Sequence, residues 1–168
     1  MSSPSLIRIA GPKDFDEVWR LLLLGYSENA IFPLAEKKAQ WFVRRCLNPD
    51  QIDPKDTGSR GVIGVIGPIG ALEGLAFLML DTYWYTEALC ITEFIVFVDP
   101  QHRKTDHAKT LIKWMRQQPD EVGLPLITGI LSNTRTEAKC RLYQRLMPKI
   151  GEFFLVKPKN DTLVASSS

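Results

Sequence analysis

Apolar residues recur at three- and four-residue steps in some stretches of this chain and fill continuous runs in others, and the change from one pattern to the other marks out its elements. Residues 6–10 read as a short first strand, which Gly11-Pro12 breaks. Phe15, Val18, Trp19, Leu22 and Leu23 then repeat at helical spacing behind Asp14, Asp16 and Glu17, acids suited to the positive end of a helix. Ala35, Ala39, Phe42, Val43 and Cys46 form one face of a second helix, ended by Asn48-Pro49. Residues 50–60 are polar and turn-rich and predict a mobile loop.

Three strand-like runs follow, at 61–66, 72–80 and 88–98, separated by Gly67-Pro68-Ile69-Gly70 and Asp81-Thr82. They predict a meander. Gly61, Gly64, Gly67 and Gly70 lack the G-x-G-x-x-G spacing and no helical pattern follows them, which points to a glycine-rich strand and turn rather than a nucleotide loop. Ala108, Leu111, Ile112 and Met115 make a helical stripe with Lys109, Lys113 and Arg116 mostly off it, and Pro119 is expected to close that helix. Residues 126–131 read as a buried strand. Thr134-x-x-Glu137 is a capping-box signal for a helix carrying Ala138, Leu142 and Leu146, and residues 150–156 give a last strand. The reading is a single domain over residues 1–157 with a flexible tail at 158–168.

At 168 residues the chain is long enough to bury a core without staples. A formal net charge of +2 gives no general reason to expect nucleic acid or membrane as partner, and the aromatic residues are not interleaved with the basic ones. Cys46, Cys90 and Cys140 are odd in number and form no C-x-x-C or Cys/His metal spacing. No signal-peptide pattern opens the chain, and the leucine run at 21–24 is too short to cross a bilayer. These features lead us to expect a soluble, cytoplasmic protein.

The segment most apt for chemistry is 95–108, a buried strand running through a turn into a basic helix. The first helical N–H groups lack partners and the helix dipole is positive there, so such a junction binds anions, phosphate above all. Val98, Pro100 and Arg103, followed by Arg103-Lys104-Thr105-Asp106-His107-Ala108, resemble motif A of the GNAT superfamily of N-acetyltransferases. Asp106 departs from that motif, standing where the family usually has glycine, and a carboxylate there repels phosphate unless it turns away to cap the helix. The order strand, two helices, three strands, helix, strand, helix, strand also matches the family over nearly the whole chain. The resemblance implies an α/β (α+β) fold with a central mixed, mostly antiparallel twisted sheet flanked by about four helices. It further implies acetyl-CoA as cosubstrate and no metal, with the backbone of Val96 and Val98 meeting the pantetheine amides. Arg103, Lys104, Thr105, Asp106, His107 and Ala108 would hold the pyrophosphate, and Lys104 and Lys109 would reach its oxygens.

Acetyl transfer to an amine needs a base for the amine, polarisation of the thioester carbonyl and a proton for the leaving thiolate. Glu93 is the candidate base, a carboxylate within Ile91-Thr92-Glu93-Phe94-Ile95-Val96 whose burial would raise its pKa; strand parity, or a β-bulge, decides whether it faces the site or solvent. Asp81 and Glu87 are weaker substitutes. Tyr143, in Arg141-Leu142-Tyr143-Gln144-Arg145-Leu146, resembles the family's late-helix tyrosine that protonates the thiolate; the alternative is a core ring with its hydroxyl at the edge. Asn133 matches a cofactor-contacting asparagine, or serves as a helix cap. His102 and His107 are five apart, which does not place both on one helical face, and they read as loop histidines. The expected function is transfer of acetyl from acetyl-CoA to a primary amine of a small molecule or peptide. A non-catalytic GNAT-fold binding or assembly protein is the alternative, and a homodimer is left open.

Overall fold

β2 (Gly61–Ile66), β3 (Gly74–Thr82) and β4 (Leu89–Val98) form the antiparallel centre of a five-stranded sheet in the computed structural model, in which residues 6–158 are described. β1 (Arg8–Ile9) pairs antiparallel with β2 at one edge, and β5 (Leu126–Ile127) pairs parallel with β4 at the other. The central runs are apolar on both faces because helices cover both. On one face α1 (Phe15–Asn29) and α2 (Glu36–Leu47) pack Val18, Leu21, Val43 and Leu47 against Ile63, Val65, Leu75, Phe77 and Phe97. On the other, α3 (His107–Val122) sets Leu111 against Ile66, Ala76 and Val98, while Ile112 and Met115 meet Leu78 and Ile91. α4 (Thr136–Leu146) adds Leu142, Tyr143 and Leu146 to this second layer. Each of these side chains stabilises the fold by roughly 1.5–3 kcal/mol when fully buried.

Two irregularities in the sheet shape the site. Phe77 pairs with Ile95 but Leu78 pairs with Glu93, so Phe94 is an extra residue, a β-bulge in β4. The second is the brevity of the parallel pairing, in which β4 meets β5 at Ile91 and Thr92 and then, among the described residues, has no strand beside it on that edge. The two chains separate and a cleft opens between them.

Several elements differ from their sequence expectation. The first strand is limited to Arg8–Ile9. Residues 50–60 are tied to α2, with the Arg45 guanidinium donating to Asp56 at 2.6 Å and to the Ser59 carbonyl at 2.6 Å. Pro119 lies inside α3; the helix ends at Gly123, whose φ of 71° suits a residue without a side chain. The strand expected at 126–131 stops at Ile127. α4 starts at Thr136 after Arg135 takes a left-handed conformation (φ 55°), so Thr134 is not the capping residue and no side chain caps this helix. Among the described residues 150–156 form no strand, because the ladder they would extend ends at Ile127; Phe153 instead lies over Gly129. The tail expectation concerns residues that, apart from Pro158, fall outside the described ones. No described helix is long and apolar enough to cross a membrane.

Candidate active site

The bulge sets which way Glu93 points. Ile95 and Phe97 join the core under α1 and α2, while Val96 and Val98 lie on the α3 side. Strict alternation from Ile95 would send Glu93 toward α1 and α2. With Phe94 inserted, Phe94 turns to that face, against Phe42 and Phe77, and Glu93 comes round to the side of α3 and α4. There one carboxylate oxygen accepts a hydrogen bond from the Tyr143 hydroxyl at 2.7 Å and the other accepts one from the Thr128 hydroxyl. The backbone N–H of Val96 donates to the same carboxylate.

Burial pushes the Glu93 pKa up, and wins over the three donors that pull it down. Tyr143 is held well above the ordinary phenol value by burial, by the charge of Glu93 and by their shared hydrogen bond. Burial thus shifts the Glu93 carboxyl toward its protonated form and keeps Tyr143 a neutral phenol, with the two joined by one hydrogen bond along which a proton can pass.

The pair borders a cleft of about 850 Å3 that opens where β4 and β5 part. Its walls include β4 from Glu93 to Val98, the start of α3 and one face of α4, with the α1–α2 connection across from them. Of the residues singled out in the sequence, Glu93, Val96, Val98, Arg103, Thr105, Ala108 and Tyr143 line it. Lys104, Asp106, His107, Lys109 and Asn133 are not among the lining residues. Asp106 is exposed at the position preceding α3 without a capping bond from its side chain, contrary to the expected cap; Thr105 supplies the side-chain acceptor there, for the His107 N–H at 3.3 Å. Asn133 is exposed and donates to the Ala30 carbonyl at 3.1 Å, neither capping α4 nor facing the cleft. The His107 side chain is buried against Glu73.

Arg103 reaches the cleft in the company of a residue the sequence did not flag. Its guanidinium donates to Glu28 of α1 at 2.6 Å and to the Val98 carbonyl at 3.3 Å. Lys139 was missed as well. Its ammonium donates to the Ser132 hydroxyl at 2.6 Å, and burial lowers its pKa below the usual 10.5. It stands one helical turn before Tyr143, and that i, i+4 spacing was the available signal. Thr128 carried none. Lys38, Arg103, Arg135 and Lys139 give the cleft wall four cations against the carboxylates of Glu28 and Glu93.

The fold is shared with solved acetyltransferases. Ribosomal-protein-alanine N-acetyltransferase from Brucella melitensis biovar Abortus 2308 superposes with a TM-score of 0.62 at 16% identity, over 90% of this chain and 97% of that one. The fold is the GNAT fold. A probable acetyltransferase gives 0.65 at 16% identity, over 97% and 99% of the two chains, and an acetyltransferase of Trypanosoma brucei gives 0.60 at 20%, over 91% and 98%. No family model matches the sequence, and no curated protein does. The GNAT fold is thus kept here on a sequence far from those of its structural neighbours.

Proposed function

We propose that this chain is an acetyl-CoA-dependent N-acetyltransferase acting on a primary amine of a small molecule or peptide. The observation that carries the reading is the hydrogen-bonded pair of a raised-pKa carboxylate and a neutral phenol, Glu93 and Tyr143, on the wall of an open cleft. The cleft suits the cosubstrate. Among the described residues no strand lies beside the β4 edge beyond Thr92, which leaves backbone groups fit for the amides of a pantetheine arm. The α3 N-terminus and the cleft cations suit a pyrophosphate.

A thioester supplies an activated acetyl group, so the protein's task is to deprotonate the amine, orient the partners and protonate the sulfur. Glu93 takes the amine proton, directly or through one water. Tyr143 gives its hydroxyl proton to the departing sulfur. The 2.7 Å bond between them lets the proton gained by Glu93 restore the phenol, so the pair ends as it began. The cleft wall at Ile31, Phe32, Pro33 and Leu34 is apolar, which favours an amine with apolar neighbours over a polycation. The test is release of free CoA thiol from acetyl-CoA across amines, peptides and amino sugars. Binding of CoA without thiol release above the acceptor-free control would favour a non-catalytic binding protein instead.

A further inference from the structure

We propose that Glu73, His102 and His107 form a binding site for a divalent metal ion of the zinc type, outside the cleft, where the β2–β3 connection meets the turn into α3. One ligand-capable atom of each lies within 4.8 Å of the others. His107 Nε2 is 2.5 Å and His102 Nδ1 is 3.5 Å from the same Glu73 oxygen, and the two imidazole rings stack with centroids 6.0 Å apart. The five-residue spacing separates two histidines only if both belong to one helix. Here His107 opens α3 while His102 ends a short 3-10 turn, and the rings come face to face.

The three backbones are fixed by regular hydrogen bonds. Glu73 donates to the Ile66 carbonyl at 2.8 Å and accepts from the Asp99 N–H at 2.9 Å, so the ends of β2 and β4 both hold it. His102 donates to the Asp99 carbonyl at 2.8 Å. Two imidazoles and one carboxylate are a ligand set used by zinc sites that keep a fourth position for water. That position is available. A hollow of about 500 Å3 adjoins Glu73 and His102, and its wall carries the carboxylates of Glu17, Glu73 and Asp99 against the single guanidinium of Arg20, a balance that attracts a cation.

A hydrogen bond between Glu73 and His107 accounts for two of the residues but gives no reason for a second imidazole nitrogen at the same oxygen. With metal bonds of ~2.0–2.1 Å, neighbouring ligand atoms in a tetrahedral shell sit about 3.3 Å apart. Loading would therefore open the contact between Glu73 and His107, while the 3.5 Å separation from His102 already fits. Because His102 and His107 bracket Arg103 and Thr105, a bound ion would also fix the turn that forms one end of the cleft.

The test is titration of the full, tag-free, chelator-treated chain with Co2+ and then Zn2+. We expect a visible d–d band from bound Co2+, without a sulfur-to-cobalt band, displaced by Zn2+; Zn2+ should also raise the melting temperature. His102→Ala and Glu73→Gln should each weaken binding at least about tenfold, since even residues that only orient metal ligands contribute 10–100-fold. Melting of both variants without metal establishes that they fold, and a variant that does not is replaced by His102→Gln. The proposal is overturned if millimolar Co2+ and Zn2+ leave spectrum and melting unchanged, if both variants bind as the parent does, or if a sulfur-to-cobalt band assigns the ion to a cysteine.

Discussion

Glu93 and Tyr143 meet across a 2.7 Å hydrogen bond because Phe94 drops out of the β3–β4 register. One inserted residue decides the face of a carboxylate, and the face decides whether it lines the cleft or lies beneath α1 and α2. The same insertion seats the Phe94 ring between Phe42 and Phe77, which anchors the bulge by packing. The geometry of the acid–base pair thus rests on a hydrophobic contact on the opposite side of the sheet.

Substitution of either partner separates chemistry from binding. Glu93→Gln and Tyr143→Phe should each lower kcat/KM by ~10²–10⁴-fold, the usual contribution of a general base or acid, with CoA affinity close to that of the parent. A loss below about tenfold in steady-state thiol release would remove the residue from its role.

The pH dependence follows from the direction of the Glu93 shift. Its base form is present above a pKa raised from 4.5, so log kcat/KM should rise with unit slope up to that raised value, and Glu93→Gln should erase the limb. Stability runs the opposite way. The folded state holds this proton more tightly than the unfolded one, so stability falls as pH rises from the ordinary carboxylate value through the raised one. Parallel activity profiles and melting curves of parent and Glu93→Gln check both signs.

Much of the arrangement was legible in the chain, for reasons that differ by residue. Leu111, Ile112 and Met115 declared α3 because one apolar face of a helix repeats every third or fourth position. Val96 and Val98 were singled out by the resemblance of their strand and the following turn to motif A, and they do line the cleft. The bulge could be raised only as a possibility, with Phe94 unnamed, because a bulge is a matter of pairing between strands that no local pattern records. Glu28 and Thr128 reach Arg103 and Glu93 from 75 and 35 residues away in sequence, and such long-range partners leave no periodic trace. Residues 150–156 had the apolar content of a strand but no ladder to join, and Arg135, in a left-handed conformation, precedes α4 where Thr134 had been expected to cap it.

Two charges near the start of α3 make a paired prediction. Asp106 is exposed and supplies no capping bond, so Asp106→Gly should keep or improve CoA affinity and cost only a few tenths of a kcal/mol in stability. Glu28 holds the Arg103 guanidinium, so Glu28→Gln should free it for phosphate and tighten CoA binding several-fold, an effect absent when Arg103 is also Ala. Calorimetric titration with CoA reads both; weaker binding by Asp106→Gly would show that its carboxylate takes part.

Gly25 lies buried in α1 where that helix crosses β4, and a Cβ there would stand 2.7 Å from Ile95 Cδ1 and 3.2 Å from the Phe97 ring. Alanine would ordinarily favour a helix over glycine by about 0.8–1 kcal/mol. Here the added methyl pushes into a packed layer, and overpacking of that kind costs ~1–3 kcal/mol. The steric cost should win, giving net destabilisation of Gly25→Ala by up to about 2 kcal/mol in urea unfolding. Relief by moving α1 outward would also shift Glu28, four residues short of the cleft mouth at Phe32, and with it the partner of Arg103. CoA affinity should therefore change in Gly25→Ala although the residue carries no polar side chain, and a variant as stable as the parent with unaltered affinity would show that α1 has slack against β4.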